Sequence, residues 1–461
     1  MNRWGPEHIA GAAGALLLGA PLPTAGPERV TIDSRQAGPG VLFVGLKGAR
    51  QDGGAFAKDA VAAGAWGVLV APEHGAEAVE AVERQGGQPG VVLVGEQPLV
   101  ALQRLATAWR RELGAKVIAV TGSTGKTTTK DILVSVLSRS RRVAFTRANF
   151  NTEIGVPLEI LAAPAGTEVL VLEHAMRGAG QISELAAVSE PDVGVIVNVG
   201  PVHLELLGTI EAVAAAKAEL IAGLREGGTA VVPAHEPLLK RYLTAAPHVI
   251  TFGPGGDVQL RIPPGGDSRR RVEIDLAGRM VELEVPFAQA HLRTNLLAAV
   301  AAASAVGVVP SGRVEVAFSP GRGQRTELPG GVTVIDDCYN ANPMSVRAAL
   351  DDLVATAPPG GARRRVAVLG DMLELGSGER EFHMEAGRHA AEVGVDVLVT
   401  VGPLAAAMAQ GFRGDSHGVA TAAEAAPLVG ELVKPGDVVL VKGSRGVGLE
   451  LVCSSLTAGR Y

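Results

Sequence analysis

One segment of the chain has the residue types and spacing that bind a phosphorylated nucleotide. An apolar run over residues 116–120 stops at Thr121-Gly122, and apolar residues return at helical spacing from Ile132. Glycines at such a turn let the backbone approach an anion, and the N-terminus of the following helix adds a partial positive charge. The segment therefore predicts an ATP site, whose residues are Gly122, Ser123, Thr124, Gly125, Lys126, Thr127 and Thr128.

Two side chains at the end of this loop have distinct chemical uses. Lys126 is placed to reach the β- and γ-phosphates, and the hydroxyl of Thr127 is a ligand for Mg²⁺. The loop departs from the common G-x-x-x-x-G-K-[ST] pattern because Val120 stands where the first glycine would be. The alternative interpretation is a turn between a strand and a helix that binds no ligand.

Three polar residues further along the chain suit catalysis on a triphosphate. Glu173 and His203 follow the strands predicted at 169–172 and 193–199, and Lys217 lies in an alanine-rich predicted helix. Because the carboxyl ends of parallel strands meet at one edge of a sheet, Glu173 and His203 should face the phosphates. A carboxylate and an imidazole there suit the binding of Mg²⁺ and the positioning of water. The alternatives are a buried, hydrogen-bonded histidine and a solvated lysine.

Other polar side chains lie in predicted loops, where α/β proteins bind their substrates. Each group also has a structural alternative, because such residues form solvated turns or cap helices. The candidate substrate-binding residues are Ser34, Arg35, Lys47, Asn149, Asn151 and Thr152. Beyond a predicted hinge at residues 319–323, Arg325 and Asp337 could reach back to a nucleotide when the following domain closes, and Arg322 is an alternative to Arg325.

Length and pattern together predict three α/β domains. A chain of 461 residues is too long for one core, and apolar strands alternate with helices throughout it. The predicted domains are an N-terminal domain at 1–97, a central P-loop domain with a parallel sheet at 98–318, and a Rossmann-like domain at 319–461. We also predict a core helix over residues 9–20 and a small antiparallel excursion over 253–286.

Composition narrows the class of protein. The net charge is −6 and no basic run exceeds three arginines, so nothing favours a nucleic-acid partner. The two cysteines form no disulfide framework or zinc spacing, which is typical of a reducing cytoplasm. The apolar run at residues 9–20 is too short to span a bilayer. A cytoplasmic protein with no membrane span is the expectation.

Several segments along the chain together form a recognisable set of motifs. They are Asp33-Ser-Arg, Leu42-Phe-Val-Gly-Leu-Lys-Gly, Thr121-Gly-Ser-Thr-Gly-Lys-Thr, Asn149-Phe-Asn-Thr-Glu-Ile-Gly, Glu173, His203, Ala216-Lys-Ala-Glu-Leu, His291-x-x-x-Asn295, Asp337-Cys-Tyr-Asn-Ala-Asn-Pro and Val368-Leu-Gly-Asp-Met-Leu-Glu-Leu-Gly. Taken together, these motifs resemble the Mur ligase family. The resemblance runs from about residue 30 to 450 and touches all three predicted domains.

The resemblance implies an ATP-dependent amide-bond ligase of peptidoglycan precursor synthesis. A peptide carboxylate would attack the γ-phosphate of ATP to give an acyl phosphate, and an incoming amine would then displace phosphate. The substrates would be UDP-N-acetylmuramoyl-tripeptide and D-alanyl-D-alanine, and the enzyme would be a cytoplasmic monomer. Whether the third residue of the peptide is diaminopimelate or lysine stays open.

The family also implies roles for the candidate residues. Lys126, Glu173, His203 and Lys217 would be catalytic. Thr127 and Glu173 would hold one Mg²⁺, and His203 and Lys217 a second, with Lys217 as a carbamate made from CO₂. Asn295, Arg325 and Asp337 would contact the adenosine, and Ser34, Arg35 and Lys47 the UDP-sugar.

Three other functions compete with this one. The first is the ligase that adds the third, diamino residue to UDP-N-acetylmuramoyl-dipeptide, but its Asp-Asn-Pro-Arg motif is absent from the sequence. The second is a folylpolyglutamate synthase-like ligase, which lacks a UDP-binding domain resembling residues 30–97. The third is a P-loop ATPase or kinase that acts as a switch, which would not need the domain after the hinge.

Overall fold

The computed structural model describes residues 1–19, 22–86, 89–261, 270–356 and 364–459, which form three β-sheets with mostly parallel strands. The predicted α/β class is confirmed. The sheets draw on successive parts of the chain, as the three predicted domains require, and the boundaries at 97/98 and 318/319 stay predictions. None of the helices within the described ranges has the length and apolarity needed to cross a membrane.

The first sheet has five strands in the order β1-β5-β4-β3-β2, and only β1 runs antiparallel to its neighbour. Its strands are Leu16–Leu18 (β1), Arg29–Thr31 (β2), Val41–Val44 (β3), Gly67–Val70 (β4) and Val91–Val94 (β5). The helices of this part are Pro6–Ala13 (α1), Ala57–Ala62 (α2), Pro72–Glu83 (α3) and Pro98–Leu113 (α4).

The predicted helix over residues 9–20 is wrong in its second half. Helix α1 ends at Gly14, which adopts the left-handed conformation (φ 63°) and donates its N–H to Ala10 and Gly11. After this turn the chain extends, and β1 pairs with β5. The glycine cap ends the helix, and the edge of β5 provides a partner for the extended segment that follows. The apolar pattern alone indicates neither feature.

The second sheet has ten strands in the order β15-β14-β13-β12-β11-β10-β9-β6-β8-β7. They are Lys116–Thr121 (β6), Val143–Phe145 (β7), Val169–Glu173 (β8), Val193–Ile196 (β9), Thr229–Pro233 (β10), His248–Phe252 (β11), Val258–Arg261 (β12), Arg271–Leu276 (β13), Arg279–Glu284 (β14) and Gly312–Arg313 (β15). The helices are Lys126–Leu137 (α5), Gly155–Ala162 (α6), Gln181–Ser189 (α7), Leu204–Leu207 (α8), Ile210–Ala222 (α9) and Ala290–Ala305 (α10).

Two features of this sheet position the candidate site. Strand β6 lies between β8 and β9, so the carboxyl ends of all three strands meet beside the start of α5. The predicted antiparallel excursion is formed by β12, β13 and β14, although residues 262–269 within it lie outside the described residues.

The third sheet has six strands in the order β16-β17-β21-β18-β19-β20, and only β16 is antiparallel. Its strands are Gln324–Leu328 (β16), Val332–Asp336 (β17), Arg365–Gly370 (β18), Val397–Val401 (β19), Asp415–Val419 (β20) and Val438–Lys442 (β21). Its helices are Pro343–Ala355 (α11), Glu379–Glu392 (α12), Met408–Gly411 (α13), Ala422–Leu432 (α14) and Glu450–Thr457 (α15). Apolar clusters cover both faces of this sheet.

Helix α4 joins the first two sheets through one continuous core. Its residues Leu102 and Trp109 belong to the same buried cluster as Ile9 of α1 and Ile160 of α6. The first two sheets therefore share one apolar core, and α4 packs within it.

This shared core makes a testable prediction for stability. Leu102 is completely buried, so Leu102→Ala should lower the free energy of unfolding by about 2–5 kcal/mol through lost burial and a residual cavity. Leu451→Ala, at a position that is 47% exposed in α15, is the control and should change it by less than about 0.5 kcal/mol. Urea denaturation followed by circular dichroism measures both. Equal effects of the two substitutions would contradict the packing described for α4.

Candidate active site

A cavity of about 910 Å³ lies between the second and third sheets. The loop at the end of β6 and the start of α5 form one wall, together with residues of α10 such as Asn295. The segment after β17, which includes Asp337 and Tyr339, forms the facing wall. Residues predicted independently along the chain therefore converge on one space.

The loop between β6 and α5 has the local structure that its glycines predict. Gly125 adopts a left-handed conformation (φ 77°), and a Cβ there would lie 2.7 Å from the side-chain oxygen of Asn295. Lys126 starts α5, and its ammonium donates to the carbonyl oxygen of Gly122 at 2.8 Å. Burial lowers the pKa of Lys126, with Arg322 acting in the same direction and Glu173 against it. The loop thus presents helix N–H groups and a buried amine to the cavity.

A carboxylate and a hydroxyl meet beside this loop. Thr127 donates its hydroxyl to Oε2 of Glu173 at 2.8 Å, and Asn151 donates its amide to Oε1 of the same carboxylate at 2.8 Å. Glu173 ends β8 and is 2% exposed. Hard oxygen ligands at this spacing are the donor set that Mg²⁺ prefers, so the residues fit a magnesium ion.

His203 lies on the same side of the cavity, in the loop that follows β9. Its Nδ1 is 2.5 Å from Oε2 of Glu374, which belongs to the third sheet's part of the chain. Burial lowers the pKa of His203, Glu374 opposes the shift, and the charges of Lys126 and Lys217 lower it further. A lowered pKa favours the neutral imidazole, and Glu374 occupies one of its two nitrogens.

Lys217 lies on α9, is 2% exposed and is not among the residues that line the cavity. Burial, followed by the charge of Lys126, lowers its pKa well below the usual value. Among the residues that the structure describes, none hydrogen-bonds to its amine or forms an ion pair with it. A lowered pKa favours the neutral amine, which is the species that reacts with CO₂, so the surroundings of Lys217 fit the predicted carbamate.

The hinge and the segment after it contribute a cation and an aromatic ring. Arg322 donates from Nη2 to the hydroxyl of Thr127 at 3.2 Å, and its guanidinium lies 4.1 Å from the ring centroid of Tyr339. Asp337 accepts from Lys442 at 2.6 Å, and Asn342 donates its amide to the carbonyl of Ser123 at 3.3 Å. This part of the chain thus reaches the nucleotide loop directly.

The sequence leaves two arginines, Arg322 and Arg325, as candidates for contact with the nucleotide, and the structure places them in different surroundings. Arg325 points to Asp352, with 2.8 Å between Nη2 and Oδ1, and also donates to Thr356. Arg322 lines the cavity, whereas Arg325 is not among the lining residues. Although the two arginines are only three positions apart, their side chains are placed differently because β16 starts between them, at Gln324.

Some of the predicted substrate-binding residues line the cavity, and others lie outside it. Asn149, Asn151 and Thr152 line the cavity, but the three predicted residues of the first domain do not; they are Ser34, Arg35 and Lys47. Arg35 is exposed and pairs with Asp33 at 2.8 Å, which lowers the pKa of that carboxyl to about 2.

Sequence reasoning missed several residues of the site. Asn198 accepts from the backbone N–H of Thr124 at 3.0 Å, and Lys442 and Glu374 contact the predicted residues Asp337 and His203. Asn198 follows β9, so its position after a strand was an available signal. Lys442 is brought to Asp337 only by the packing of the third sheet, and Glu374 is brought to His203 only where the loops after β9 and β18 meet.

Comparison with known proteins agrees with this geometry. The chain matches the models of the Mur ligase family catalytic domain over residues 28–107, the Mur ligase middle domain over 120–303 and the Mur ligase glutamate ligase domain over 321–445. With the curated relatives described next, these matches show that the chain belongs to the Mur ligase family.

The similar proteins point to one branch of that family. A Bacillus subtilis protein that is 36% identical over 437 residues, covering 93% of this chain and 92% of the relative, is named UDP-N-acetylmuramoyl-tripeptide–D-alanyl-D-alanine ligase. A Mycobacterium tuberculosis protein with the same name is 38% identical over 471 residues, with the same two coverages. The crystal structure of MurF from Acinetobacter baumannii matches with a TM-score of 0.85 at 30% identity over 99% of both chains. MurF ligase from Thermotoga maritima in complex with ADP matches with a TM-score of 0.79 at 29% identity over 93% of this chain and 97% of that chain.

Proposed function

We propose that this chain is an ATP-dependent ligase that joins D-alanyl-D-alanine to UDP-N-acetylmuramoyl-tripeptide. It would act as a cytoplasmic monomer in the synthesis of peptidoglycan precursors. The observation that carries the proposal is the pairing of Thr127 with Glu173 beside Lys126, at a cavity that the third sheet's part of the chain closes. The names of relatives that align over more than nine-tenths of the chain supply the substrates.

The proposed reaction has two steps. An oxygen of the tripeptide carboxylate attacks the γ-phosphorus of ATP, the bond to the β-phosphate oxygen breaks, and acyl phosphate and ADP result. The amine of D-alanyl-D-alanine then attacks the acyl carbon, loses a proton and expels inorganic phosphate. Both reactants of the first step are anionic, so catalysis consists mainly of positioning and charge neutralisation. Lys126 and Arg322 are the side chains that we assign to the phosphates.

Two metal positions follow from the donor groups. Thr127 and Glu173 would hold one Mg²⁺, and His203 and the carbamate of Lys217 would hold the second. When bound, these ions supply positive charge to the triphosphate oxygens. The carbamate forms when the neutral amine of Lys217 attacks the carbon of CO₂ and releases a proton, which converts a cation into an anionic ligand.

The remaining assignments divide between two regions. We assign Asn295 and Asp337 to the adenosine, because both line the cavity next to the nucleotide loop. Asn149, Asn151 and Thr152 would contact the substrate near the reacting carboxylate. Outside the cavity, the UDP-sugar would be bound by Ser34, Arg35 and Lys47.

One assay tests the proposed activity. Release of ADP and phosphate is measured with UDP-N-acetylmuramoyl-tripeptide and each candidate amine, and turnover is expected only with D-alanyl-D-alanine. Tripeptides that end in diaminopimelate or in lysine, compared in parallel, identify the third residue. Turnover with a diamino acid and UDP-N-acetylmuramoyl-dipeptide would instead assign the preceding ligase. Turnover with a folate and glutamate would assign a folylpolyglutamate synthase-like ligase.

Arg322 in the hinge and Arg325 just after it make a second prediction. Arg322→Gln should raise the KM for ATP at least about 10-fold, because a charge-assisted contact is worth about 1.5–3 kcal/mol. The matched control is Arg325→Gln, which removes the same charge three residues away and should leave the KM within about 2-fold. Initial rates at varied ATP measure both values. A larger effect of Arg325→Gln would return the nucleotide role to Arg325.

A further inference from the structure

Two loops from different sheets are joined at His203. The loop after β9 carries His203, and the loop after β18 carries Glu374. Besides the contact of 2.5 Å between Nδ1 and Oε2, the backbone N–H of Glu205 donates to the carbonyl of Glu374 at 3.3 Å. Gly376 is packed so closely that a Cβ there would lie 3.2 Å from the backbone nitrogen of Glu205. The two loops therefore fit against each other over several residues.

Both residues of this contact have an uncommon backbone conformation. His203 has φ 53° and Glu374 has φ 64°, in the left-handed region that costs non-glycine residues free energy. Residues keep such conformations where the surrounding structure specifies them, and they concentrate at functional sites. Here the conformations turn an imidazole and a carboxylate towards one another.

The contact also includes a cavity residue of the central part of the chain. Nε of Arg177 is 3.6 Å from Oε1 of Glu374, while the other oxygen faces His203. Arg177 and His203 both line the cavity, and Glu374 is not among the lining residues. Glu374 therefore reaches the site only through its neighbours.

We propose that Glu374 is a positioning residue that fixes the orientation and tautomer of the His203 imidazole when the third sheet's part of the chain is docked. The carboxylate accepts the Nδ1 proton, which leaves Nε2 as the only acceptor of the ring. A carboxylate in this position orients a histidine ligand and raises its basicity. The docking of the third sheet's part of the chain thereby determines the orientation and the tautomer of His203. The role of His203 in this argument rests on the proposed ligase function.

The first test is Glu374→Gln, which keeps the shape of the side chain and removes its charge. We expect kcat to fall by about 10–100-fold, the usual effect of removing such a partner, while the KM values for ATP and the tripeptide substrate change less than about 3-fold. The matched control is Glu381→Gln, which removes an exposed carboxylate from α12 that pairs with Arg388 and should leave kcat unchanged. A wild-type kcat for Glu374→Gln would overturn the proposal.

A double-mutant cycle separates positioning from general structural damage. If Glu374 acts through the imidazole, Glu374→Gln should cause no further loss of kcat in a His203→Gln background. If the two losses multiply, Glu374 acts independently of His203 and the proposal fails.

Hydrogen exchange tests the contact without any turnover. In the full-length protein, the amides of α8 (Leu204–Leu207) should exchange faster in Glu374→Gln than in the wild type or Glu381→Gln. Unchanged exchange would show that the carboxylate does not hold this loop. If the wild-type protein showed no turnover with D-alanyl-D-alanine, only the ligase function would be refuted. The exchange experiment would still test the contact between Glu374 and His203.

Discussion

Lys126→Ala should lower kcat about 1,000-fold or more with all substrates saturating, since one preorganised charge at a phosphoryl transfer site is worth that order of magnitude. Its amine is held at the start of α5, 2.8 Å from the carbonyl of Gly122, inside the wall of the cavity. Burial lowers the pKa of this lysine, and an anionic triphosphate would favour its charged form again. The measurement is the initial rate of phosphate release.

The matched control for this substitution lies on β6, the strand that precedes the loop. Lys116 starts β6 at the opposite end and pairs with Asp192 at 3.0 Å, with a side chain that is 62% exposed. Lys116→Ala should therefore keep kcat within about 2-fold. If Lys126→Ala retained more than a tenth of the wild-type kcat, the phosphate role of the lysine would be refuted.

Lys217→Ala should lower kcat at least about 100-fold, because the second metal position would lose its anionic ligand. Short carboxylates such as formate or acetate should restore part of the activity, since each can occupy the space left by the carbamate. Lys217→Arg should be as inactive as Lys217→Ala, because a guanidinium keeps the positive charge and forms no carbamate. An exposed lysine, Lys240, supplies the control variant Lys240→Ala.

A spectroscopic experiment separates the carbamate from a simple cationic role. Wild-type protein supplied with ¹³C-labelled CO₂ should show a carbamate carbon signal that is absent from Lys217→Ala. Full activity in Lys217→Arg, or in buffers depleted of CO₂, would contradict the proposed modification.

The nucleotide loop of the candidate site was predictable because its signals are local. The strand predicted at 116–120 agrees with Lys116–Thr121 to within one residue, and the helix predicted after the loop is Lys126–Leu137. The prediction that Glu173 would face the loop needed only the rule that parallel strands end at one edge of a sheet, and its carboxylate does accept from Thr127.

What the sequence did not predict depends on distant neighbours. Strands β16 (Gln324–Leu328) and β20 (Asp415–Val419) lie at the edges of the third sheet, and their polar residues do not produce an apolar strand pattern. Arg322 and Arg325 differ by only three positions, and the choice between them depends on Asp352 of α11, which competes for one of them. Glu374 belongs to the segment Val368–Gly376 that carries part of the family resemblance, but nothing in that segment indicates His203 as its partner, because only the packing of the two loops brings them together.

Among the described residues, the apolar clusters of the third sheet are separate from those of the first two sheets. The largest buried cluster unites residues 4–239, whereas both clusters of the third sheet draw, among the residues described, only on positions 328–456. The contacts between the second sheet's part of the chain and the third sheet's part include polar ones. Examples are the hydrogen bonds of Asn342 with Ser123 and of Ser319 with Asp131. Water can replace such hydrogen bonds at small net cost. Separation of the third sheet's part of the chain would therefore leave both of its apolar clusters intact, and we expect such an opening to let bulky substrates enter and products leave.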